Sequence, residues 1–445
     1  MAFDLTVAEA AALLGVSRPR AYQLVESGAL SAEKAGGIWL VDRASVEARM
    51  AEGAARGGRR GKAKDASAVR TFELMNRTHR VLSFDYDVER GAFVEAGDVT
   101  DAARAPLGMV SPRAAKASVK ALEHWWKHRA IPGSRAGMQA KLAELGYEAA
   151  YQIPFRNLGL SLSDQYWIRP AGGNIRWEDV NYFDNDFADM KVGSPWLSGV
   201  GLDSPDNTSE GQLPKKWVRD GGALLLAKGG SVLNQEPYNE TVATALHRRL
   251  LQPGEYLAYR LREGASGAVC LCEDFVSPEE EYLPAFYVRR SKRQANHHSD
   301  YRHYLECCVA LGVEGVERSL EKMIVCDDIL GNFDRHWRNF GLVRNVETLE
   351  CRVAPLFDSG NSLWCDAPVG RLRAGDFSFA AKPFYEDPNR QLRLVQDYSW
   401  LDLDALDGFA DEAAGILSQN RAISDRVDLV CCGIQARIDR IKRIL

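Results

Sequence analysis

The chain has 445 residues, 46% hydrophobic, 26% charged and 9% aromatic, with 56 Lys and Arg against 61 Asp and Glu for a net charge of −5. That length exceeds what one hydrophobic core usually holds, so two or three domains are expected. The composition excludes extensive disorder, and the mild acidity argues against a nucleic-acid binder over the chain as a whole.

The charge is uneven. Residues 1–64 hold ten Lys/Arg and seven Asp/Glu, a net of +3, which leaves 46 and 54, a net of −8, for the remainder. A basic head on an acidic body fits a DNA-contacting module attached to something that does not contact DNA. The nine cysteines form no CxxC and no Cys/His zinc spacing, so they are expected as free thiols in a reducing compartment. No apolar signal region opens the sequence, and no apolar run approaches the roughly 20 residues of a membrane span. A cytoplasmic protein without membrane contact is expected.

In chain order, residues 5–14, LTVAEAAALL, read as a helix with Thr6 as its cap and Glu9 at capping-box spacing. Gly15 stops it. Ser17 caps a second helix, SRPRAYQLVESG, with Pro19 in its first turn and Gly28 at its end. LSAEKAGGIWLV then reads as a β-hairpin wing turning at Gly36-Gly37, and a third helix starts at Asp42 or Ser45. The second helix would offer Ser17, Arg18, Arg20, Tyr22 and Gln23 to a major groove, with Lys34 of the wing on phosphate. This pattern resembles the excisionase and MerR-type winged helix-turn-helix family. The resemblance implies DNA binding by residues 1–52, with modest affinity from one copy, so that a homodimer or a second binding element is expected. Residues 53–70 follow as a basic, Gly- and Ala-rich linker.

Residues 79–110 read as short strands and turns. Residues 113–148 read as helix, with Val119, Leu122, Trp125 and Trp126 on one face. Residues 150–200 are aromatic-rich and loop-like, and 161–183 read as packing around a small lobe. Residues 217–227 and 267–275 read as strands, and helices dominate after residue 298.

The chemistry concentrates in residues 327–365, DDILGNFDRHWRNFGLVRNVETLECRVAPLFDSGNSLWC. Asp334 and Asn339 lie five positions apart between a helical run and the strand FGLV. A carboxylate that orients a hydroxyl, followed five residues on by an amide oxygen for a metal, is the catalytic-loop arrangement of kinases. Asp358, in LFDSG, matches the second metal-binding carboxylate, and Gly360 permits a sharp turn beside the ion. Arg335 and His336 are read as supporting the loop. Upstream, GGALLLAK ends a strand at Lys228, and Glu240 sits twelve residues on in a helix, the spacing of a phosphate-holding Lys–Glu pair.

GNFDRHWRNFGL followed by APLFDSG resembles the HipA-like serine/threonine kinases, which are related to the phosphatidylinositol 3/4-kinase superfamily. That resemblance implies a multidomain α+β chain. A winged helix-turn-helix precedes a two-lobed kinase-like fold, with an accessory subdomain at 71–200, a mixed N-lobe at 201–275 and a helical C-lobe at 276–445. It implies ATP and Mg2+ as cofactors, Asp334 as catalytic base, and Asn339 and Asp358 as metal ligands. It further implies a phosphate loop at Thr208, Ser209, Gly211, Gln212 and Lys215, with Thr208 or Ser209 open to autophosphorylation. Glu273 and Phe275 would face adenine, and a protein Ser or Thr would accept the phosphate. HipA-like kinases work with a separate DNA-binding antitoxin chain, whereas here the DNA module is fused in cis, so a toxin–antitoxin role and a stress or transcription regulator stay open. Two other readings remain: a non-catalytic DNA-binding regulator that uses the kinase fold as nucleotide sensor or scaffold, and a small-molecule or lipid kinase.

Overall fold

A computed structural model describes residues 3–35, 38–57, 69–111, 115–129, 153–185, 187, 213–264 and 267–445. The chain divides into two units, residues 1–69 and 70–445.

In the first unit, β1 (Phe3–Thr6) leads into α1 (Val7–Leu14) and α2 (Arg18–Glu26), followed by β2 (Ala32–Ala35), β3 (Ile38–Asp42) and α3 (Arg43–Gly57). Leu5 and Thr6 thus belong to a strand and not to the first helix. The capping box forms as expected: Glu9 N donates to Thr6 Oγ1 at 3.3 Å, and Thr6 N donates to Glu9 Oε2 at 2.8 Å. Gly15, at φ 66°, closes α1 in the left-handed conformation that glycine adopts without strain. Ser17 occupies the N-cap of α2, but its hydroxyl makes no capping bond. The antiparallel sheet runs β1-β3-β2, and Leu5, Val7, Ala10, Ala21, Leu24, Val41 and Val46 form its core. The hairpin turn at 36–37 lies outside the described residues. Helix α3 continues to Gly57, into the segment expected as linker, because Ala and Arg sustain a helix well; residues 58–68 are outside the described residues.

Among the described residues, the second unit has three larger sheets, one two-stranded sheet and a helical core. An accessory sheet, order β6-β5-β4-β9, contains β4 (Val69–Asn76), β5 (His79–Asp87), β6 (Ala92–Val99) and β9 (Tyr166–Pro170); β7 (Val110–Ser111) and β8 (Lys116–Ala117) pair separately. These strands are longer than expected for 79–110, and β4 and β9 were not anticipated. Of the expected 113–148 helix, α4 (Val119–Lys127) is described; it buries Leu122, Trp125 and Trp126 while residues 130–150 fall outside the described set.

The small-lobe sheet has the order β10-β11-β13-β12. The single strand expected at 217–227 is a hairpin, β10 (Lys215–Asp220) and β11 (Ala223–Lys228). Gly221 and Gly222, at φ 58° and 89°, make the two-residue turn that only glycine takes freely twice in succession. Strand β12 (Arg260–Arg262) and β13 (Val269–Glu273) complete the sheet. Aromatic side chains of 161–183 do pack against this lobe, with Trp167, Trp177, Tyr182 and Phe183 around Trp217 and Val276.

A third sheet, β14 (Glu280–Pro284), β15 (Gly341–Asn345) and β16 (Cys351–Val353), lies in the part expected to be helical. A buried polar cluster fastens the accessory sheet to it. Asn76 Nδ2 and Arg344 Nε donate to Glu281 at 2.8 and 2.6 Å, and Arg344 Nη2 donates to Tyr166 Oη at 3.0 Å. Among helices of eight residues or more, α5 (Glu236–Leu250), α6 (Asp300–Ala310), α7 (Val316–Leu330), α8 (Phe409–Leu417) and α9 (Val427–Ile444) build the large core. All nine cysteines are free; burial pushes the Cys272 thiol up to about 12. Among the described residues no helix is long and apolar enough to cross a membrane.

Candidate active site

The loop after α7 is organised by its helix end. Gly331, at φ 60°, terminates α7, and Asn332 N donates to Asp327 O at 2.9 Å. Asn332 then bridges backward and forward. Its Nδ2 donates to Asp327 Oδ1 at 2.8 Å, and its Oδ1 accepts from Asp334 N at 2.9 Å. Asp334 is thereby held by its backbone, with its side chain 27% exposed. Asn361 Nδ2 donates to Oδ2 at 2.9 Å and Lys382 Nζ to Oδ1 at 3.0 Å. Asn339 Nδ2 donates to Asp334 O at 3.1 Å, which fixes the amide orientation and leaves Oδ1 without a partner among the described residues, on the cleft wall.

Arg335 is fully buried. It donates to both oxygens of Asp327, at 2.8 and 3.0 Å, to Asn339 O at 2.8 Å, to Phe357 O, and to Ser359 Oγ at 3.0 Å. It therefore ties α7, the loop and the Asp358 segment together. His336 braces the loop through backbone contacts: its Nδ1 accepts from Arg338 N at 3.2 Å.

Asp358 stands at φ 58°, a left-handed conformation that costs a non-glycine residue about 1–3 kcal/mol and tends to occur at functional sites. Sequence reasoning assigned the sharp turn to Gly360. That glycine is favoured for a different reason, since a Cβ there would come within 3.3 Å of Glu236 O and Glu240 Cγ of α5, tighter than ordinary contact. Asn239 of α5 holds the same segment by donating to Gly360 O and Ser362 O at 2.8 and 2.9 Å.

Lys228 is buried and pairs with both Glu240 Oε1 and Asp358 Oδ1. Glu240 Oε2 accepts from Ser359 N at 3.0 Å. Lys215 lies directly across the hairpin from Lys228 and reaches Asp358 Oδ2 at 4.0 Å. Two ammonium groups facing each other across a strand pair repel, so this register needs anionic charge nearby. Burial alone would raise the Asp358 carboxyl, but Lys215, Lys228 and Arg335 outweigh it and hold it well below the usual carboxylate range. Burial alone would likewise lower the Lys228 ammonium, and Asp358 and Glu240 reverse this and raise it.

The sign of each shift sets its pH window. Asp358 contributes stability above its unfolded value near 3.8 and loses it as pH falls through its depressed folded value. Lys228 contributes below its unfolded value near 10.5 and loses it as pH rises through its elevated one. The cleft floor therefore keeps its charges from about pH 4 to about pH 10. The stability advantage of the wild type over Asp358→Asn should be constant between pH 6 and 8 and shrink below about pH 4, as denaturant midpoints at pH 7 and pH 3 would show.

Lys215, Lys228, Glu273, Phe275, Asn339 and Asp358 line one cleft of about 200 Å3. Phe275 stacks on Phe357 with ring centroids 5.3 Å apart, giving the cleft an aromatic wall beside the β13 end. Ser161, Ser163, Asp164 and Tyr166 line it too, so the 161–183 segment contributes to the cleft as well as to packing. Thr208, Ser209, Gly211 and Gln212 lie outside the described residues. Sequence reasoning missed Lys382, Asn361 and Tyr259, whose hydroxyl accepts from Asp358 N at 3.3 Å. In the first unit Ser17, Arg18, Arg20, Tyr22 and Gln23 share the exposed face of α2 and its cap, where Arg20 Nη1 donates to Gln23 Oε1 at 3.0 Å. Lys34 lies on β2 with its side chain outside the described set.

The first unit is a small helix-turn-helix with a β-hairpin, and the second carries a cleft lined by its four-stranded sheet β10–β13 and by the loop after α7. Residues 5–54 match the helix-turn-helix domain family. The chain is 47% identical over 98 residues to the serine/threonine-protein kinase CtkA of Helicobacter pylori, a match covering 19% of this chain and 30% of that protein. It thus spans under a third of the length of that curated relative. Among solved structures, the proinflammatory kinase CtkA of Helicobacter pylori aligns with 51% of this chain and 95% of its own, at 17% identity and a TM-score of 0.35. HipA of Shewanella oneidensis, solved with HipB and operator DNA, aligns with 83% of this chain and 97% of its own, at 13% identity and a TM-score of 0.48. The likenesses are thus partial: to a helix-turn-helix domain over residues 5–54, and over about a fifth of the chain to a serine/threonine-protein kinase.

Proposed function

We propose that the chain is an ATP- and Mg2+-dependent serine/threonine protein kinase of HipA-like type, cytoplasmic, and held on DNA by its N-terminal domain. The observation that carries this reading is the convergence of Lys215, Lys228 and Asp358 on the floor of a cleft whose wall includes Asn339, with Asp334 on the same loop.

The residues present fit a nucleotide with its metal. Asn339 Oδ1 and the Asp358 carboxylate are hard oxygen donors on one cleft, a set that suits Mg2+ completed by phosphate and water oxygens. Among the described residues no cluster of three or more His, Cys, Asp or Glu is arranged to hold a metal without such help. Bound there, the ion would neutralise charge on the β- and γ-phosphates. Lys228, kept cationic by Glu240 and Asp358, and Lys215 beside it supply positive charge for the phosphates, and Phe275 and Phe357 offer a flat apolar surface to the base. Asp334 accepts the proton of the acceptor hydroxyl. That oxygen bonds to the γ-phosphorus as the bond from phosphorus to the ADP oxygen breaks.

Incubation with labelled ATP and Mg2+ should label the protein itself or an added Ser/Thr protein; absence of transfer to any acceptor, with nucleotide bound, would support the scaffold reading. The exposed basic face of α2 supports DNA contact. Removing residues 1–64 should abolish retardation of DNA in a gel while leaving ATP turnover within about twofold. DNA binding by the full chain should fall steeply with salt, as expected where phosphates are neutralised by Lys and Arg.

A further inference from the structure

The catalytic loop offers no lysine near its carboxylate: the residues after Asp334 are Arg335, which is committed to Asp327, and His336. Positive charge reaches Asp334 from elsewhere. Lys382 Nζ donates to Asp334 Oδ1 at 3.0 Å, while the other oxygen accepts from Asn361.

The placement of Lys382 is built into the fold. Its segment is clamped by Gln391, a buried side chain whose Oε1 accepts from Phe384 N and Tyr385 N at 3.1 Å each and whose Nε2 donates to Lys382 O. Ala381 N donates to Glu386 O at 2.8 Å, closing the turn. Phe384 packs edge-on against Trp337, with centroids 5.4 Å apart, and against Tyr301 at 5.0 Å. Trp337 belongs to the same loop as Asp334. The segment carrying Lys382 and the loop carrying Asp334 are thus locked to each other by aromatic packing, and the ion pair sits on that frame.

Stability does not account for the pair. The Lys382 side chain is 44% exposed and that of Asp334 27%, and ion pairs so open to water contribute little. A carboxylate placed to take a proton from a hydroxyl attacking an anionic phosphoryl group does need charge compensation, because like charges repel as the two approach.

We propose that Lys382 is a positioning residue for Asp334. It fixes the rotation of the carboxylate through Oδ1 and offsets its charge toward the incoming phosphoryl group, leaving a lone pair on each oxygen for the acceptor hydroxyl. The inference rests on the kinase reading above.

The test measures steady-state ATP turnover and autophosphorylation of the full chain with Mg2+, for wild type, Lys382→Met, Lys382→Arg and Asp334→Asn. Lys382→Met should lower kcat by up to about 100-fold, the scale on which a misplaced catalytic group is felt, with KM for ATP within about twofold and the melting temperature unchanged. Lys382→Arg should recover most of kcat, since a purely packing role would not distinguish Met from Arg by charge. If Lys382→Met keeps full kcat, or raises KM for ATP while kcat stays constant, Lys382 does not act through Asp334 and the proposal fails. If Asp334→Asn itself retains wild-type turnover, the kinase reading fails instead, so the two failures are distinguishable.

Discussion

Replacing Asp334 by Asn should reduce phosphoryl transfer by about 100- to 10,000-fold, the usual contribution of a positioned general base. A carboxylate can take a proton from a hydroxyl, and an amide of the same shape cannot. Nucleotide affinity should change little, because the proposed phosphate floor of Lys215, Lys228 and Asp358 is held by contacts that do not include the Asp334 carboxylate. The fold should tolerate the change. The side chain is partly exposed, and the loop backbone is held by Asn332 and Arg335. A stability loss within about 1 kcal/mol is expected from breaking a pair of this exposure. Labelled-ATP transfer, nucleotide titration and thermal unfolding on one preparation would check all three parts. Transfer at the wild-type rate, or loss of nucleotide binding together with activity, would contradict the assignment.

Local chemistry was legible in the residues themselves, whereas chemistry assembled across the chain, such as Lys228 beside Asp358, was reached through the kinase pattern or, like Lys382, not at all. The Thr6–Glu9 capping box, the Gly15 stop and the Asp334–Asn339 spacing involve residues within five positions of each other, so the covalent chain itself brings them together. The Lys228–Glu240 pair, twelve apart, was recoverable because a strand end and a helix start fix both ends of a short connection. Lys382 gave no such signal. It lies 48 residues beyond Asp334, and only the packing of Phe384 on Trp337 reveals where it goes. The accessory sheet was read as short strands because β4 and β9 pair across some ninety residues, as between Met75 and Trp167. The β10–β11 hairpin was read as one strand because its turn, Gly221-Gly222, was taken into the apolar run that follows it. That error mattered for the site, since the hairpin register is what sets Lys215 opposite Lys228.

Arg335→Met is expected to be the most destabilising single change at the site. All five guanidinium N–H groups are used: one on Asp327 Oδ2, one on Asp327 Oδ1, one each on the carbonyls of Asn339 and Phe357, and one on Ser359 Oγ. Burial would lower the Arg335 pKa, but Asp327 more than reverses it and the group stays charged. Removing it leaves the Asp327 carboxylate buried without its counter-ion, which typically costs about 3–5 kcal/mol. Arg335→Lys should rescue little, because a single ammonium cannot reach a carboxylate, two carbonyls and a hydroxyl in one plane. The double variant Arg335→Met/Asp327→Leu separates the electrostatic part from the rest. With both charges gone, a large share of the lost stability should return, since apolar replacements of buried pairs are often near neutral. Activity should not return with it. The carbonyls of Asn339 and Phe357 would still lack their shared donor, and the two segments that carry the expected metal ligands would no longer be tied to each other. Denaturant midpoints for the three variants, read beside their ATP turnover, would show stability and activity parting company if Arg335 sets the geometry of the site. Were the double variant to recover both, Arg335 would be needed only to neutralise Asp327.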